Sequence, residues 1–336
     1  MSIYENNGEI MSEKKEFKTS IGGQALMEGI LMRGVDRQAI VCRKEDGSLV
    51  NKVEELKLVK DKYPILGVPF IRGVVTFIDS MAKGMQALTW SAEQLPEDQQ
   101  EEPTKFDIWL ENHVGSEKAG KIIIAIAMVL GLALAVGLFV LLPAFLFELL
   151  PDNMSVVVRC ILEGLIRIVI FLVYLWLCTR MKEIQRVFAY HGAEHKTIFC
   201  YEKGLPLTVE NARIQSRLHP RCGTSFLVVI MIISIFVISI MTWVLSTIPA
   251  VAALEGIAAS LVRILAKLIL LPFIVGITYE INRWVGRHDC TFSTIVSWPG
   301  KQMQHITTRE PDDSMLEVAI EALKLVLPDT QGADEW

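Results

Sequence analysis

The sequence lacks the patterns that mark several common classes of protein. Its six cysteines are scattered, and no two of them form a Cys-x-x-Cys pair, which argues against a zinc ribbon or a disulfide framework. The first twenty residues are polar and have no apolar core, so we expect no signal peptide there. The net charge is −5, and this negative balance argues against a nucleic-acid partner.

Charged residues are also missing from several long stretches. They make up 21% of the chain, whereas hydrophobic residues make up 51%. A helix of about 20 apolar residues is long enough to cross a bilayer. The sequence therefore predicts a membrane α-helical bundle of about four transmembrane helices, accompanied by a cytoplasmic α+β part near the N-terminus and a C-terminal helix. The predicted spans are residues 121–150, 156–178, 226–248 and 257–279.

Lysine and arginine are absent from two of the connections between these spans. Residues 151–155 and 249–256 contain none, whereas residues 180–221 contain eight and the first 120 residues contain fifteen. Positively charged residues accumulate on the cytoplasmic side of membrane proteins. The distribution therefore predicts a multi-pass protein with both termini and the central loop, 180–225, in the cytoplasm.

The second and fourth spans contain ionisable residues. Glu163 and Arg167 are four residues apart and share a helix face, as do Arg263 and Lys267. Because charge at membrane depth is costly, these side chains should face the protein interior or reach outward to water. They form either a polar pathway through the bundle or, as their sequence positions favour, charged groups near the outer ends of the spans.

Polar segments divide the rest of the chain into parts. We expect a disordered N-terminus at 1–19 and a cytoplasmic β-rich unit at 20–62, where QAIVCRK and SLVNKVEELKLV flank the turn EDGS. An amphipathic, interfacial helix at 63–95 precedes an acidic linker at 96–106. The bundle then occupies 107–280, and a cytoplasmic C-terminal segment with its helix occupies 281–336.

Two amphipathic stripes support these boundaries. The C-terminal stretch should begin with a capping box of Ser314 and Glu317 and end before Pro328. Its apolar stripe should pack on a partner surface, and that of the interfacial helix should lie against the membrane or the bundle. The stripes comprise Leu316, Ile320, Leu323 and Leu327 in the C-terminal helix, and Phe70, Val74, Phe77, Ile78, Met81, Met85 and Leu88 in the interfacial helix.

The stretch IGGQALMEGILMRG, residues 21–34, has four glycines and only two charged residues, Glu28 and Arg33. It lacks the Gly-Lys-Ser/Thr of a phosphate loop and the Gly-x-Gly-x-x-Gly of a dinucleotide site. Such glycines serve tight turns or a close approach of the backbone to another group. We expect a buried, turn-rich strand, with Glu28 and Arg33 as polar candidates.

The stretch AYHGAEHKTIFCYE places His191, Glu194 and His195 in the order His-x-x-Glu-His, the spacing of inverted zinc proteases. The second span should continue as helix through this stretch, since no helix breaker precedes Gly204. The two histidines are four residues apart, so their imidazoles lie on one side of a helix. Together they can chelate one zinc ion, which needs further ligands.

Three interpretations of these histidines remain open. In a structural site, His219 and Cys222 complete a four-ligand shell around zinc with His191 and His195. In a catalytic site, Glu280 is the third ligand, water takes the fourth position and Glu194 is the general base of a metal-dependent hydrolase. Without a metal, Glu194 and His195 pair with basic neighbours. The structural site has four ligands without Glu280, which the histidines could reach only if the helix bent. His288 and Cys290 are further polar candidates.

Taken in order, four motifs resemble the YqhQ-like family of bacterial membrane proteins, whose function is unknown. The motifs are GGQALMEGILMRG, HGAEHKTIFCYE, HPRCGTSF and TTREPDDSMLEVAIEAL. The resemblance runs from about residue 21 to residue 327. It implies a multi-pass protein of the bacterial cytoplasmic membrane and transfers neither a reaction nor a residue role.

Three functions follow as hypotheses. The first is a metal-binding membrane protein, with zinc as the expected ion and hydrolysis as the expected chemistry if it is an enzyme. The second is a non-catalytic assembly, insertion or scaffold factor that binds other membrane proteins or its own copies. The third is a transporter, for which four spans with scattered charge provide little of a pathway.

Overall fold

The computed structural model describes residues 17–56, 63–96, 104–148, 154–254, 256–330 and 332–335. Within these ranges the chain is mostly helical, with one four-stranded antiparallel sheet near the N-terminus. Most of the predicted disordered terminus and of the acidic linker lies outside the described residues.

The sheet has the strand order β1-β2-β3-β4 and is a simple meander. The predicted hairpin around EDGS is confirmed as β3 and β4. The glycine-rich stretch, expected as one strand, instead forms a hairpin that turns at Met27 and Glu28, where Glu28 has a positive φ of 48°. The strands are β1 (Gly22–Leu26), β2 (Gly29–Arg33), β3 (Arg37–Arg43) and β4 (Leu49–Glu55).

Helices make up most of the remaining described residues. A short 3-10 turn, Pro64–Gly67, precedes the first helix, and a π-helical segment, Gly137–Leu141, joins the third helix to the fourth. The helices are α1 (Ile71–Ala92), α2 (Lys105–Val114), α3 (Ser116–Val136), α4 (Leu142–Glu148), α5 (Val156–Cys178), α6 (Lys182–Glu202), α7 (Val209–Arg213), α8 (Gly223–Thr247), α9 (Pro249–Ala252), α10 (Gly256–Arg287), α11 (Thr291–Thr307) and α12 (Asp313–Lys324).

Four helical stretches are long and apolar enough to cross a membrane, and they coincide with the four predicted spans. By length and composition they are membrane-spanning candidates, and their surfaces are largely uncovered by the rest of the protein. The stretches are Lys118–Leu141, Ile161–Cys178, Gly223–Thr247 and Leu261–Arg287.

The second span does not continue unbroken into the histidine stretch, so that prediction was wrong. Helix α5 ends at Cys178 and α6 begins at Lys182, with Met181 in an extended conformation between them. The side chain of Gln185 donates a hydrogen bond to the carbonyl of Thr179 at 2.8 Å. This bond satisfies a helix-end carbonyl and stabilises a break that no glycine or proline announces.

Helix α1 confirms the predicted amphipathic segment as a helix, but its apolar stripe is divided. Phe77 stacks on Phe226 of α8, with ring centroids 5.9 Å apart. Ile78 and Met81 are more than half exposed. Gly73 allows close packing on α10, since a Cβ there would lie 2.6 Å from the Cβ of Tyr279.

The C-terminal helix α12 buries its predicted stripe, including Leu316, Ile320 and Leu323. Its N-cap is Asp312, which accepts a hydrogen bond from the backbone of Met315 at 3.0 Å, so the capping box predicted at Ser314 was wrong. A carboxylate two residues earlier caps the helix equally well and also suits the positive end of its dipole.

Glu163, Arg167 and Lys267 face each other inside the bundle, whereas Arg263 donates to the carbonyl of Ala259 in its own helix. Glu163 lies 3.2 Å from Arg167, as its spacing predicted, and 2.5 Å from Lys267 of α10. Arg167 also donates to the carbonyl of Phe139 in the π-helical segment at 2.9 Å. All three ionic side chains are nearly buried, so they pair in the interior and do not reach outward.

The main hydrophobic core joins parts that are distant in sequence. It lies between the sheet, α6 and α12, and includes Ile30, Tyr190 and Leu316. Both ends of the described chain are attached to this core region, because Thr19 forms a β-bridge with Glu335 and the amide of Phe17 donates to the carbonyl of Glu202 at 3.1 Å. The sheet, α6 and α12 therefore form one unit at the end of the helical bundle.

Candidate metal centre

Three side chains converge where α6 meets the start of α8. His191 and His195 stand one turn apart on α6, and Cys222 is the N-cap residue of α8. The ligand atoms that these residues offer lie within 4.8 Å of one another. No other group of three or more such residues with this spacing occurs in the described part of the chain.

Backbone carbonyls fix the orientation of both imidazoles. The Nδ1 atom of His191 lies 2.9 Å from the carbonyl oxygen of Thr307, and the Nδ1 atom of His195 lies 2.6 Å from that of Arg217. A carbonyl only accepts hydrogen bonds, so each Nδ1 carries a proton. In the neutral ring, each Nε2 then offers a lone pair, as in many metal sites whose histidines donate to an outer carbonyl.

The thiol of Cys222 faces His191. Its Sγ atom lies 3.1 Å from the Nε2 atom of His191. Burial would raise the pKa of this thiol, but the imidazoles of His191 and His195 hold it well below its usual value. The same pairing outweighs burial at His191 and raises its pKa. A thiolate stabilised in this way is the form of cysteine that binds metals.

Glu194 is buried beside these three side chains of the candidate centre, at 5% exposure. Its Oε1 atom accepts a hydrogen bond from the amide of Gly23 at 2.9 Å, and its Oε2 atom has no partner among the described residues. Burial raises the pKa of this carboxyl, while His191 and His195 act in the opposite direction. The Nε2 atom of His195 is also buried and unpaired. Such orphaned polar atoms mark a place where a ligand or water belongs.

His219 lies nearby but is not brought into the ligand group. Its ring centroid is 5.5 Å from that of His195, and its Nε2 atom lies 3.4 Å from Glu202. Glu202 also pairs with Arg221 and accepts from the amide of Thr19 at 2.9 Å. His219 is thereby committed to a second buried cluster, which adjoins the first.

Glu280, the alternative carboxylate ligand, lies elsewhere. It forms an ion pair with Arg72 and accepts from the amide of Phe70 at 3.2 Å. The Nδ1 atom of His288 donates to the carbonyl of Trp284 at 2.8 Å, and Cys290 is the N-cap of α11. The contacts of Glu280 attach α10 to the start of α1, those of His288 and Cys290 are local, and the structure does not bring these residues to the histidines of α6.

The two charged residues of the glycine-rich stretch hold elements together. Glu28 accepts hydrogen bonds from Arg186 and, at 3.2 Å, from the hydroxyl of Tyr190, both on α6. Arg33 donates to Asp79 of α1 at 2.8 Å. Glu28 therefore fixes β1 and β2 on the histidine helix, and Arg33 fixes them on α1.

Three contributors to the site were not anticipated as such from the sequence. Gly23 supplies an amide, and Thr307 and Arg217 supply carbonyls. The consecutive glycines of the GGQ segment do indicate a close backbone approach, and a Cβ at position 23 would lie 3.0 Å from the carboxyl carbon of Glu194. The carbonyls carry no sequence signal, because every residue has one.

The comparison with known families supplies a family and no function. A family model described as "Protein of unknown function (DUF1385)" matches residues 68–329, which is well over half of the chain. The chain belongs to this family. The matched region contains His191, Glu194, His195 and Cys222, but it begins after the sheet that holds Gly23.

A curated relative covers the sheet as well. The chain is 32% identical over 320 residues to "Uncharacterized protein YqhQ" of Bacillus subtilis (strain 168), and the match spans 94% of each chain. No solved structure matches the chain. Any functional assignment therefore depends on the geometry of the site.

Proposed function

We propose that the chain is a multi-pass protein of the bacterial cytoplasmic membrane with a zinc-dependent hydrolase site on its cytoplasmic side. The observation that supports this most is the convergence of two imidazoles and a thiolate beside a buried carboxylate. Three protein ligands leave a fourth zinc position for water, as in catalytic sites. The proposed ligands are His191, His195 and Cys222, and the proposed base is Glu194.

The distances fit an ion of this size. Zinc bond lengths of about 2.0–2.1 Å to nitrogen and 2.3 Å to sulfur place tetrahedral ligand atoms about 3.5 Å apart. The 3.1 Å between His191 and Cys222 is within about half an ångström of that value, so this pair needs only a small shift. The ligand atoms of all three residues lie within 4.8 Å of one another, so zinc would draw His195 closer to the pair. A mixed imidazole and thiolate shell also suits zinc better than magnesium or calcium.

Glu194 has the properties of a proton carrier. Zinc lowers the pKa of a bound water to near neutrality. Burial raises the pKa of Glu194, which brings a carboxyl closer to the range in which it both accepts and returns a proton. The amide of Gly23 holds one carboxylate oxygen and leaves the other for water.

The membrane part of the proposal is supported by charge and by packing. The segments rich in lysine and arginine, residues 17–56 and 182–221, pack together with α12 in one unit. Four spans bring every such segment to one side, and the positive-inside rule makes that side cytoplasmic. The bilayer is then the partner of the uncovered apolar surfaces of the four candidate spans.

The zinc content of purified variants distinguishes the proposed ligands from the residues beside them. His195→Ala and Cys222→Ser should each lower the zinc content of the purified protein at least tenfold, whereas His219→Ala should keep it. Glu194→Gln should keep zinc, because a base is lost but no ligand. Stoichiometric zinc in both His195→Ala and Cys222→Ser, measured by elemental analysis, would overturn the ligand assignment.

An open coordination position is tested with acetohydroxamic acid, a small chelating group. It should raise the thermal unfolding temperature of the zinc-loaded protein, because ligand binding to the folded state stabilises it. It should leave His195→Ala unchanged. A zinc-loaded protein that shows no shift has a closed, structural shell, and the hydrolase proposal then fails.

A non-catalytic assembly or scaffold factor is the second candidate. The observation that favours it is the outward face of α11, where Phe292, Ile295 and Trp298 are all more than half exposed. The inward face of this helix carries small and polar residues such as Ser293, Ser297 and Gly300. A purified protein that holds no metal would favour this candidate over the hydrolase.

A further inference from the structure

We propose that the outer edge of β1 binds an extended polypeptide segment and lays its backbone beside Glu194, so that the substrate of the site is a peptide. This inference rests on the proposed hydrolase function and adds the substrate class. It uses the glycine-rich stretch, whose contacts the metal site explains only in part.

Strand β1 is at one end of the sheet. It pairs with β2 on one side, and no described strand pairs with it on the other. In an antiparallel pair, alternate residues direct their amide and carbonyl groups away from the neighbouring strand. The end strand therefore has a row of outward backbone groups that can pair with another chain.

Two hydrogen bonds identify the outward residues. The amide of Ile21 donates to the hydroxyl of Thr19 at 3.1 Å, and the amide of Gly23 donates to Glu194 at 2.9 Å. Both amides therefore point away from β2, and by alternation so do the amide and carbonyl of Ala25. No partner for these two groups of Ala25 lies in the described part of the chain.

Helix α6 runs beside this edge from the hairpin turn to the candidate metal centre. Arg186 and Tyr190 bond to Glu28 at the turn, and Glu194 bonds to Gly23 near the other end of the strand. Residues two apart along a strand are about 6.8 Å apart. A segment that pairs with Ala25 therefore comes beside Glu194 about two residues further along, where it passes Gly23.

The edge is open at the point where it meets Glu194. Gly23 is exposed, although the carboxylate that it binds is buried. Gly23 also lines a pocket of about 350 Å³ together with polar side chains. Side chains of a paired segment would enter this pocket, whose polar members are Ser20, Gln24, Arg33 and Ser80.

The unpaired groups favour a peptide over a lipid. An amide and a carbonyl left unpaired side by side on an end strand are the groups through which a peptide adds a strand to a sheet. An acyl chain has neither a donor nor an acceptor to pair with them. The hydrolysis itself is balanced by water alone: a C–O bond forms at the peptide carbonyl, the C–N bond breaks, and Glu194 passes the proton from water to the leaving nitrogen.

Binding is tested on the full-length protein in detergent with zinc bound and with Glu194→Gln to prevent turnover. The probe is unfolded, fluorescein-labelled casein, and its binding is followed by fluorescence anisotropy. In this background Ala25→Pro should weaken binding at least fivefold, because proline removes the outward amide but keeps the ladder to β2. Ala25→Val, which keeps the amide, should bind within twofold of the parent.

Hydrogen exchange provides a test that needs no substitution in the strand. Residues 21–26 should exchange more slowly when the casein probe is added, since the amide of Ala25 becomes bonded. Unchanged exchange there, or equal affinity of Ala25→Pro and Ala25→Val, would overturn the inference.

Zinc content and hydroxamate binding are measured on the same preparations and report on the hydrolase proposal separately. Protein that binds zinc and hydroxamate but shows no edge protection contradicts the peptide substrate alone. Protein without zinc contradicts the hydrolase itself.

Discussion

Gly192 is one residue from His191 and packs directly against the backbone that follows α11. A Cβ at this position would overlap the carbonyl oxygen of Arg309, and the amide of Arg309 donates to the carbonyl of Phe188 at 2.8 Å. The close approach also positions the carbonyl of Thr307 for its bond to His191. Because Gly192 has no side chain, α6 can approach the segment after α11 closely enough for His191 to hydrogen-bond to the carbonyl of Thr307.

Gly192→Ala should therefore destabilise the protein by about 1–3 kcal/mol through overpacking, and it should also lower zinc content. Gly223→Ala is the matched control, because a Cβ there meets nothing within 4 Å. Thermal unfolding and elemental analysis of both variants check the prediction. Equal behaviour of the two would show that Gly192 is not in close contact.

Glu202 gives the second buried cluster a dependence on pH. Burial opposes its charge, but His219, Arg221 and the amide of Thr19 lower its pKa below the ordinary value of 4.5. A carboxyl whose pKa is lower in the folded state contributes stability above its unfolded pKa, and this contribution is lost as the pH falls through the folded value.

We expect Glu202→Gln to lower the free energy of unfolding by about 3 kcal/mol or more at pH 7, since it breaks a buried ion pair. The difference from the parent in unfolding temperature should shrink as the pH is lowered below about 4.5. Glu183→Gln, which changes an exposed carboxyl of the same helix, is the control and should change little. A Glu202→Gln difference that is constant between pH 7 and pH 4 would contradict the assigned role.

Residue spacing predicted part of the site and could not predict the rest. His191 and His195 share a helix side because of their four-residue separation, and Cys222 lies in the motif that was predicted to reach them. Spacing alone could not show that His219 would bind Glu202, because Arg221 and Thr19 make that carboxylate a stronger partner. Spacing also could not show that Glu280 would pair with Arg72.

At the scale of elements, the contact between α1 and α10 depends on two glycines. A Cβ at Gly73 would lie 2.6 Å from Tyr279, and a Cβ at Gly276 would lie 2.7 Å from the carbonyl oxygen of Phe70. Phe70 itself has a positive φ of 67° at the start of α1. Small residues that allow helices to approach closely are typical of packing within membranes.

Gly276→Leu should separate α1 from α10 and expose the N-terminal unit to added protease. Gly131→Leu, also in a candidate span, is the control, since a Cβ there meets nothing within 4 Å. Limited proteolysis with mass spectrometry reads the cleavage sites around residues 63–96. If the two variants are cut at the same rate, α1 does not depend on this contact.

Periodicity predicted the existence of most helices and missed details of their ends. The apolar stripe of α12 was predicted correctly, because its apolar residues repeat with the period of a helix. The N-cap of the same helix was predicted two residues too late. The break between α5 and α6 depends on the side chain of Gln185, and a bond from one glutamine has no recognisable sequence pattern. The ends of helices are set by such local bonds, which periodicity does not report.

At the scale of the whole molecule, the charge distribution predicts the sidedness of the chain. In a variant without native cysteines, Met154→Cys should react with an impermeant thiol reagent added to intact cells. Lys203→Cys should react only after the membrane is opened. Labelling of Lys203→Cys in intact cells would reverse the proposed orientation and would move the site to the outside.

Composition was sufficient to predict four apolar helices, because apolar runs of this length have few alternatives. It was not sufficient to predict how the sheet, α6 and α12 assemble. Their contacts join residues such as Ile30, Tyr190 and Leu316, and nothing local in the sequence specifies a pairing across nearly 300 positions. The site lies where these parts meet, which is why the sequence left its ligands undecided.

The contacts of His191 and Glu194 have a consequence for the order of events during synthesis on the ribosome. Gly23, which bonds to Glu194, is translated before α6, and Thr307, which bonds to His191, is translated after it. At about 5–20 residues per second, the roughly hundred residues between His195 and Thr307 take on the order of 5–20 seconds to appear. His191 therefore lacks its bond to the Thr307 carbonyl until that residue has been translated, and the proposed zinc ion would meet the final geometry of the site only after that point.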